Sequence, residues 1–288
     1  MILKKVAIML DLSDMDQILL NYVRRLHENY QFEAVSFVHF MEVEEMPEEI
    51  LSLFPDLDEP VDEMIAEEIQ EQVTETFVEG VNSKIYVHTG GDMQKFLGWL
   101  EQSDFDLVVL GKKAALHGSG IFSSKLVRLL DANTLFVTEM ARGDIHRVMV
   151  PIDFSSYTNK TLKVAREAAE VLQAELLPVH AVKLNLHYYP LFKDKKELEQ
   201  HFIKSTRKKF DKFKEKLKLK EDCKCVVLEE DAHVSRALYD QATFNSADLV
   251  VIGNKGKADS NDLLIGSVAE RLISHEKSIP VLIVKSSN

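Results

Sequence analysis

The chain has 288 residues, 45% of them hydrophobic and 28% charged, with a net charge of −12. At roughly 100–200 residues per domain this predicts two globular domains, each with a core large enough to fold without disulfides or a structural metal. No apolar run approaches the roughly 20 residues of a membrane helix, and Met1–Asp11 has neither a signal-peptide core nor a cleavage site, so a cytoplasmic protein is expected.

Strands are expected near 4–11, 33–40, 83–88, 106–111 and 134–139. Sliding the chain against itself by 142 residues sets Lys5-Val-Ala-Ile-Met-Leu-Asp-Leu-Ser13 on Arg147-Val-Met-Val-Pro-Ile-Asp-Phe-Ser155. The same offset sets Asp106-Leu-Val-Val-Leu-Gly111 on Asp248-Leu-Val-Val-Ile-Gly253. The chain therefore reads as a tandem duplication, with domains 1–142 and 143–288 meeting near Ala141-Arg-Gly-Asp144.

The second copy shows the order of elements most clearly. Strand Arg147–Phe154 is followed by helix Thr158–Gln173, with Leu162, Ala165, Ala169 and Leu172 on one face and Ser155 and Ser156 as candidate caps. Strand Ala174–Val182, helix Lys195–Leu217, strand Cys223–Leu228 and helix Val234–Asn245 come next. Strand Asp248–Gly253, helix Ser267–Glu276 and strand Pro280–Lys285 complete the copy. Strand–helix alternation with strands apolar on both faces means an α/β protein: a parallel sheet covered on both sides, doubly wound by right-handed crossovers. Ligands of such sheets sit beyond the strand carboxyl ends where the winding reverses. That rule points to Asp153 and Gly253, and to their counterparts Asp11 and Gly111.

Charge is unevenly divided between the copies. Residues 1–142 carry 26 acidic and 11 basic residues, or −15, and residues 143–288 carry 21 and 24, or +3. The acid excess lies in Glu42–Glu79, where segment 41–61, with Pro47, Pro55 and Pro60, reads as an acidic insertion. Such a surface repels nucleic acid and anionic membrane. The basic run Lys204–Lys220 carries Phe210, Phe213 and Leu217 at helical spacing and reads as a solvated helix face, with an anion patch as the other reading. Cys223 and Cys225, the two cysteines of the chain, read as reduced strand residues.

The segment from Gly253 through Asn254 and Gly256 to Gly266, Ser267 and Val268 joins a strand end to a helix start. Glycine lets backbone approach a ligand closely and take positive φ, and a helix N-terminus favours phosphate. The spacing is neither a Walker loop nor the Gly-x-Gly-x-x-Gly dinucleotide fingerprint.

Gly-x2-Gly-x9-Gly-Ser after the fourth strand, with Asp153 ending the first, resembles the ATP-binding class of the universal stress protein family. Ser246–Gly253, Gly266–Arg271 and Ile279–Val284 look like that family's fourth strand, helix start and last strand. The resemblance spans both copies and implies two tandem Rossmann-like domains, each a parallel five-stranded sheet of order 3-2-1-4-5. It implies an adenine and ribose pocket formed by Pro151, Ile152 and Asp153 with Ala181 and Val182. Gly253 and Gly256 would lie along the ribose and phosphates. Gly266, Ser267 and Val268 would donate to the phosphates, helped by Asn254 or Lys255. ATP, with or without Mg²⁺, is the implied cofactor. The last strands, Thr134–Glu139 and Pro280–Lys285, are implied to pair within the chain as a pseudo-dimer, with a homodimer as a further step.

The first copy departs from this pattern. Ala114 stands in place of the second glycine, Ser123-Ser124 replaces Gly-Ser, and Met9 and Leu10 replace Pro151 and Ile152, so this domain is expected to bind nucleotide poorly or not at all. Gly118-Ser-Gly120 is a weak alternative anion nest. In the second copy, Leu228-Glu-Glu-Asp-Ala-His233 sets three acids where the family often has a glycine, which disfavours a triphosphate unless Mg²⁺ intervenes or the acids point away.

No nucleophile–base pair or metal-ligand spacing stands out. His180 and His233 read as structural, and His187-Tyr-Tyr-Pro190 as a loop packing over pocket or core. The expected function is nucleotide-responsive stress regulation with at most slow hydrolysis. A partner-binding module built on the acidic insertion is the alternative, and a nucleotide-dependent transferase a more distant third.

Overall fold

The computed structural model describes residues 3–41, 60–77, 81–113, 125–183, 194–228, 232–256, 265–275 and 278–286. The chain divides into two compact units, Ile2–Gly143 and Asp144–Asn288.

In the first unit β1 (Lys5–Leu10), β2 (Ala34–Phe40), β3 (Ser83–His88), β4 (Leu107–Lys112) and β5 (Asn133–Thr138) lie in the order β3-β2-β1-β4-β5. All four neighbour pairs are parallel. In the second unit β6 (Arg147–Pro151), β7 (Glu175–Lys183), β8 (Lys224–Leu228), β9 (Leu249–Gly253) and β10 (Val281–Val284) lie in the order β8-β7-β6-β9-β10, again parallel throughout. Each unit is thus a doubly wound sheet of order 3-2-1-4-5, the fold class expected from the sequence. Central strands are apolar on both faces because helices cover both: Val6, Ala7 and Ile8 of β1 are all fully buried, as are Val148, Met149 and Val150 of β6.

The repeat extends to how the first strand of each sheet begins. Asp106 Oδ2 accepts the backbone N–H groups of Lys4 and Lys5 at 2.8 and 2.9 Å. Asp248 Oδ2 accepts those of His146 and Arg147 at 2.9 and 3.0 Å. The aspartate before the fourth strand therefore fixes the register of the central pair. Asp248→Ala is expected to lower the second unit's stability by about 1–2 kcal/mol, the worth of two charge-assisted bonds at a half-exposed strand end. A urea midpoint unchanged from wild type would refute this role.

Side chains cap several helices. Ser13 Oγ accepts Met15 N ahead of helix Asp14–Tyr30, Asp92 Oδ1 accepts Gln94 N and Lys95 N ahead of Met93–Gln102, and Asp194 Oδ1 accepts Glu197 N ahead of Lys195–Leu217. Helix Thr158–Val171 differs from expectation. Its cap position is Tyr157, without a side-chain bond, and neither Ser155 nor Ser156 caps it. The Ser155 amide instead donates to Asp153 Oδ1 at 2.9 Å, drawing the turn toward β6.

Candidate functional site

The chain leaves β6 toward β7 and β9 toward β10, in opposite directions along the sheet. The carboxyl ends of β6 and β9 consequently border a crevice, and it holds a cavity of about 250 Å³. Pro151, Ile152 and Asp153 enter it from β6 and the following turn, and Ala181 from β7. Ile252, Gly253, Lys255 and Gly256 enter from β9 and its loop. Gly266, Ser267, Val268 and Ala269 close one end, Thr158 and Thr161 a second side, and Val234 and Leu238 an apolar wall.

Nine of the eleven candidate residues thus line one cavity: Pro151, Ile152, Asp153, Ala181, Gly253, Gly256, Gly266, Ser267 and Val268. Val182 and Asn254 do not. Side chains alternate along a strand, so Val182 faces away from Ala181. Asn254 is buried, and its Oδ1 accepts Ser286 N and Oγ at 2.9 and 3.0 Å. Its amide N–H donates to Val284 O at 2.9 Å, and its carbonyl accepts Gly266 N at 2.6 Å. Asn254 is the anchor that ties the β9 loop to β10 and to the following helix, while its neighbour Lys255 supplies the cation of the cavity.

Helix Ser267–His275 starts at the cavity wall. Gly266 O accepts Glu270 N at 2.9 Å, which makes Gly266 the cap and leaves Ser267, Val268 and Ala269 in the first turn, where N–H groups lack helical acceptors. All three residues line the cavity, with the positive end of the helix dipole behind them. Across from them, Asp153 Oδ1 accepts Thr158 Oγ1 at 2.8 Å together with the Ser155 amide, which fixes the carboxylate at the β6 end.

Gly253 lacks the positive φ expected of it, and has a steric reason to be glycine that the sequence did not show. Its φ is not in the left-handed region; an added Cβ would lie 2.8 Å from Thr161 Oγ1 and 3.2 Å from Lys255 O. The sequence had not singled out Thr158, Thr161, Ile252, Val234, Leu238 or Ala269. The offset of 142 carried one signal, since Thr158 falls on Asp16.

That exchange rebuilds the first unit's counterpart. Asp16 is buried and accepts the N–H groups of Asp11 and Leu12 at 3.0 and 2.8 Å. Burial pushes its carboxyl up to about 6, with the neighbouring Asp11 charge adding to the rise. Lys113, the counterpart of Lys255, pairs with Asp11 Oδ2 at 2.7 Å. Met15 Cγ lies 2.6 Å from where a Gly111 Cβ would be, so its side chain packs directly on that glycine. The groups that border a cavity in the second unit are here engaged with one another. Ala114, Gly118–Gly120, Ser123 and Ser124 lie outside the described residues, as do Glu229–Asp231, His187–Pro190 and most of segment 41–61.

Fold and crevice define a doubly wound α/β domain with a glycine-rich loop leading into a helix N-terminus. Residues 144–285 match the model of the universal stress protein family, and the second unit, which they span, belongs to that family. No curated protein matches the chain. Among solved structures, the chain is similar to a functionally unknown protein from Pseudomonas aeruginosa PAO1, at 12% identity and TM-score 0.66, covering 98% of this chain and 92% of that one. It is also similar to a universal stress protein from Archaeoglobus fulgidus DSM 4304, at 13% identity and TM-score 0.60, covering 99% and 97%. At these identities the likenesses establish the fold. No described helix is long and apolar enough to cross a membrane.

Proposed function

We propose that the second unit binds an adenine nucleotide, ATP in the first instance, and that the protein is a nucleotide-responsive stress-response regulator. The observation that carries this reading is the convergence of Asp153, the apolar wall, Lys255 and the first-turn N–H groups of helix Ser267–His275 on one cavity. The donor set suits the ligand: Val234 and Leu238 offer an apolar surface to a base, and the helix start and Lys255 offer donors to phosphate. Asp153 is held where it can accept from a nucleoside. Mg²⁺ would enter on the phosphates. On this reading 143–288 is the working domain and 1–142 a degenerate copy, in which Asp16 stands in place of Thr158 and Lys113 pairs with Asp11. A cytoplasmic location follows as part of the same proposal.

Isothermal titration of ATP·Mg²⁺ into nucleotide-free protein tests this. One site per chain is expected, weakened at least 100-fold by Gly256→Val, because a branched side chain on the lining would occupy the phosphate side. Two sites would place a second nucleotide in the first unit. Absence of binding would overturn the proposal and favour a partner-binding role for the acidic segment 41–61.

A further inference from the structure

A second cavity, of about 310 Å³, lies on the opposite face of β7. Ala181 faces the crevice described above, whereas its neighbours His180 and Val182 face this one, as strand alternation requires. Helix Lys195–Leu217 forms the other wall with His201, Ser205, Thr206 and Lys209. Val182, Leu198 and Phe202 supply apolar surface. Among the described residues, no carboxylate lines this cavity.

The charge of this wall is particular to the second unit. Helix Lys195–Leu217 has nine Lys and Arg against four acids, while Val61–Thr76, which likewise connects the second and third strands of its sheet, has six acids and no Lys or Arg. The hydroxyl and imidazole donors therefore sit in a positive field that the first unit's counterpart reverses. Cys225 Sγ lies 3.3 Å from Thr206 Oγ1 beneath this wall. Burial pushes the nearby Cys223 thiol up to about 12, so the thiol stays protonated and adds no negative charge.

We infer that this cavity is a binding site for a small organic phosphate, with its dianion held by His201, Lys209 and the Ser205 and Thr206 hydroxyls and its body against Leu198 and Phe202. Two contacts join it to the crevice. His180 Nδ1 donates to Ile152 O at 2.8 Å; the carbonyl can only accept, so this nitrogen carries the proton. Phe154, which follows Asp153 and sits at φ 60°, has its ring 4.6 Å from the His180 ring and 5.9 Å from Lys209 Nζ. Binding on one face of β7 is thereby one residue removed from Ile152 and Asp153 on the other. The binding itself does not depend on the nucleotide proposal; only that coupling does.

The test is a ³¹P NMR titration of phenyl phosphate with the full chain, free of nucleotide. One saturable site per chain is expected, weakened at least tenfold by Lys209→Glu and by the cavity-filling Ser205→Phe, and unchanged by Gly256→Val. Lys209 is exposed and Ser205 half-buried, and a thermal melt matching wild type secures the comparison. No saturable binding to wild type, or binding indifferent to both Lys209→Glu and Ser205→Phe, overturns the inference. Binding lost in Gly256→Val alone would assign the probe to the crevice and also overturn it. Failure of ATP to bind, with phenyl phosphate still bound, would sink the nucleotide proposal and leave this one standing.

Discussion

Stability of the first unit is expected to fall as the pH rises from about 4 to about 6, by as much as about 3 kcal/mol, through Asp16 alone. The carboxyl is raised from 3.8 to about 6 because the residue is 1% exposed, and burial penalises its charged form more than two backbone N–H bonds recover. Between those two values the folded chain holds a proton that the unfolded chain has released. The stabilisation by the neutral form is complete below about 4 and is lost as the pH passes through about 6. Urea unfolding of the full chain at pH 4.5 and 7.0 reads this directly. Asp16→Asn, neutral at every pH, should flatten the dependence of the first unit's transition, even though its amide can accept only one of the two N–H groups. The same slope in wild type and variant would remove Asp16 as its origin. Asp16→Thr, which copies the second unit, should flatten it as well.

The second large effect concerns Gly253. Gly253→Ala is expected to cost about 1–3 kcal/mol, since the new methyl would meet Thr161 Oγ1 at 2.8 Å and the Lys255 carbonyl at 3.2 Å. Thr161 is stiff at its β-carbon, is buried, and bonds back to Tyr157 O at 3.3 Å, so it cannot swing aside cheaply. Thr161→Ala should therefore rescue most of the loss, giving a coupling of at least about 1 kcal/mol between the two sites. The matching change in the first unit, Gly111→Ala, meets Met15 Cγ at 2.6 Å; Cγ lies next to Cβ on a buried residue and moves only with χ1, so a cost of similar size is expected there. A negligible cost for Gly111→Ala, by denaturant titration of both single variants, would show that such contacts do not set the requirement for glycine. Additive effects of Gly253→Ala and Thr161→Ala would show the same.

These two sites also mark where sequence reasoning succeeds and where it stops. The central strands were legible because burial on both faces leaves a continuous apolar run, as in Val148-Met-Val150, and because the repeat supplies the same run twice. The glycine loop was legible because its residues are contiguous. Thr161 and Leu238 were not, since each enters the cavity by the way a helix lies on the sheet, and helical periodicity alone marks them only as inward-facing. Asn254 illustrates a different difficulty. Its amide suits a phosphate as well as it suits Ser286, and only the meeting of the β9 and β10 ends decides between them. Thr158 opposite Asp16 was visible in the offset, yet its meaning depends on the burial of that turn.

The bond from Gly266 N to Asn254 O closes a ring of backbone whose two ends are held fast, one by β10 and one by the first turn of a helix. A loop closed at its base makes little demand on the sheet, whatever residues it contains, because the entropy of joining its ends is already met and grows only slowly with length. The stretch between Asn254 and Gly266 can therefore change composition from one relative to the next while the strand register and the helix start stay where they are. If the nucleotide proposal holds, grafting that stretch between relatives is expected to change binding while leaving the strand register and the helix start in place.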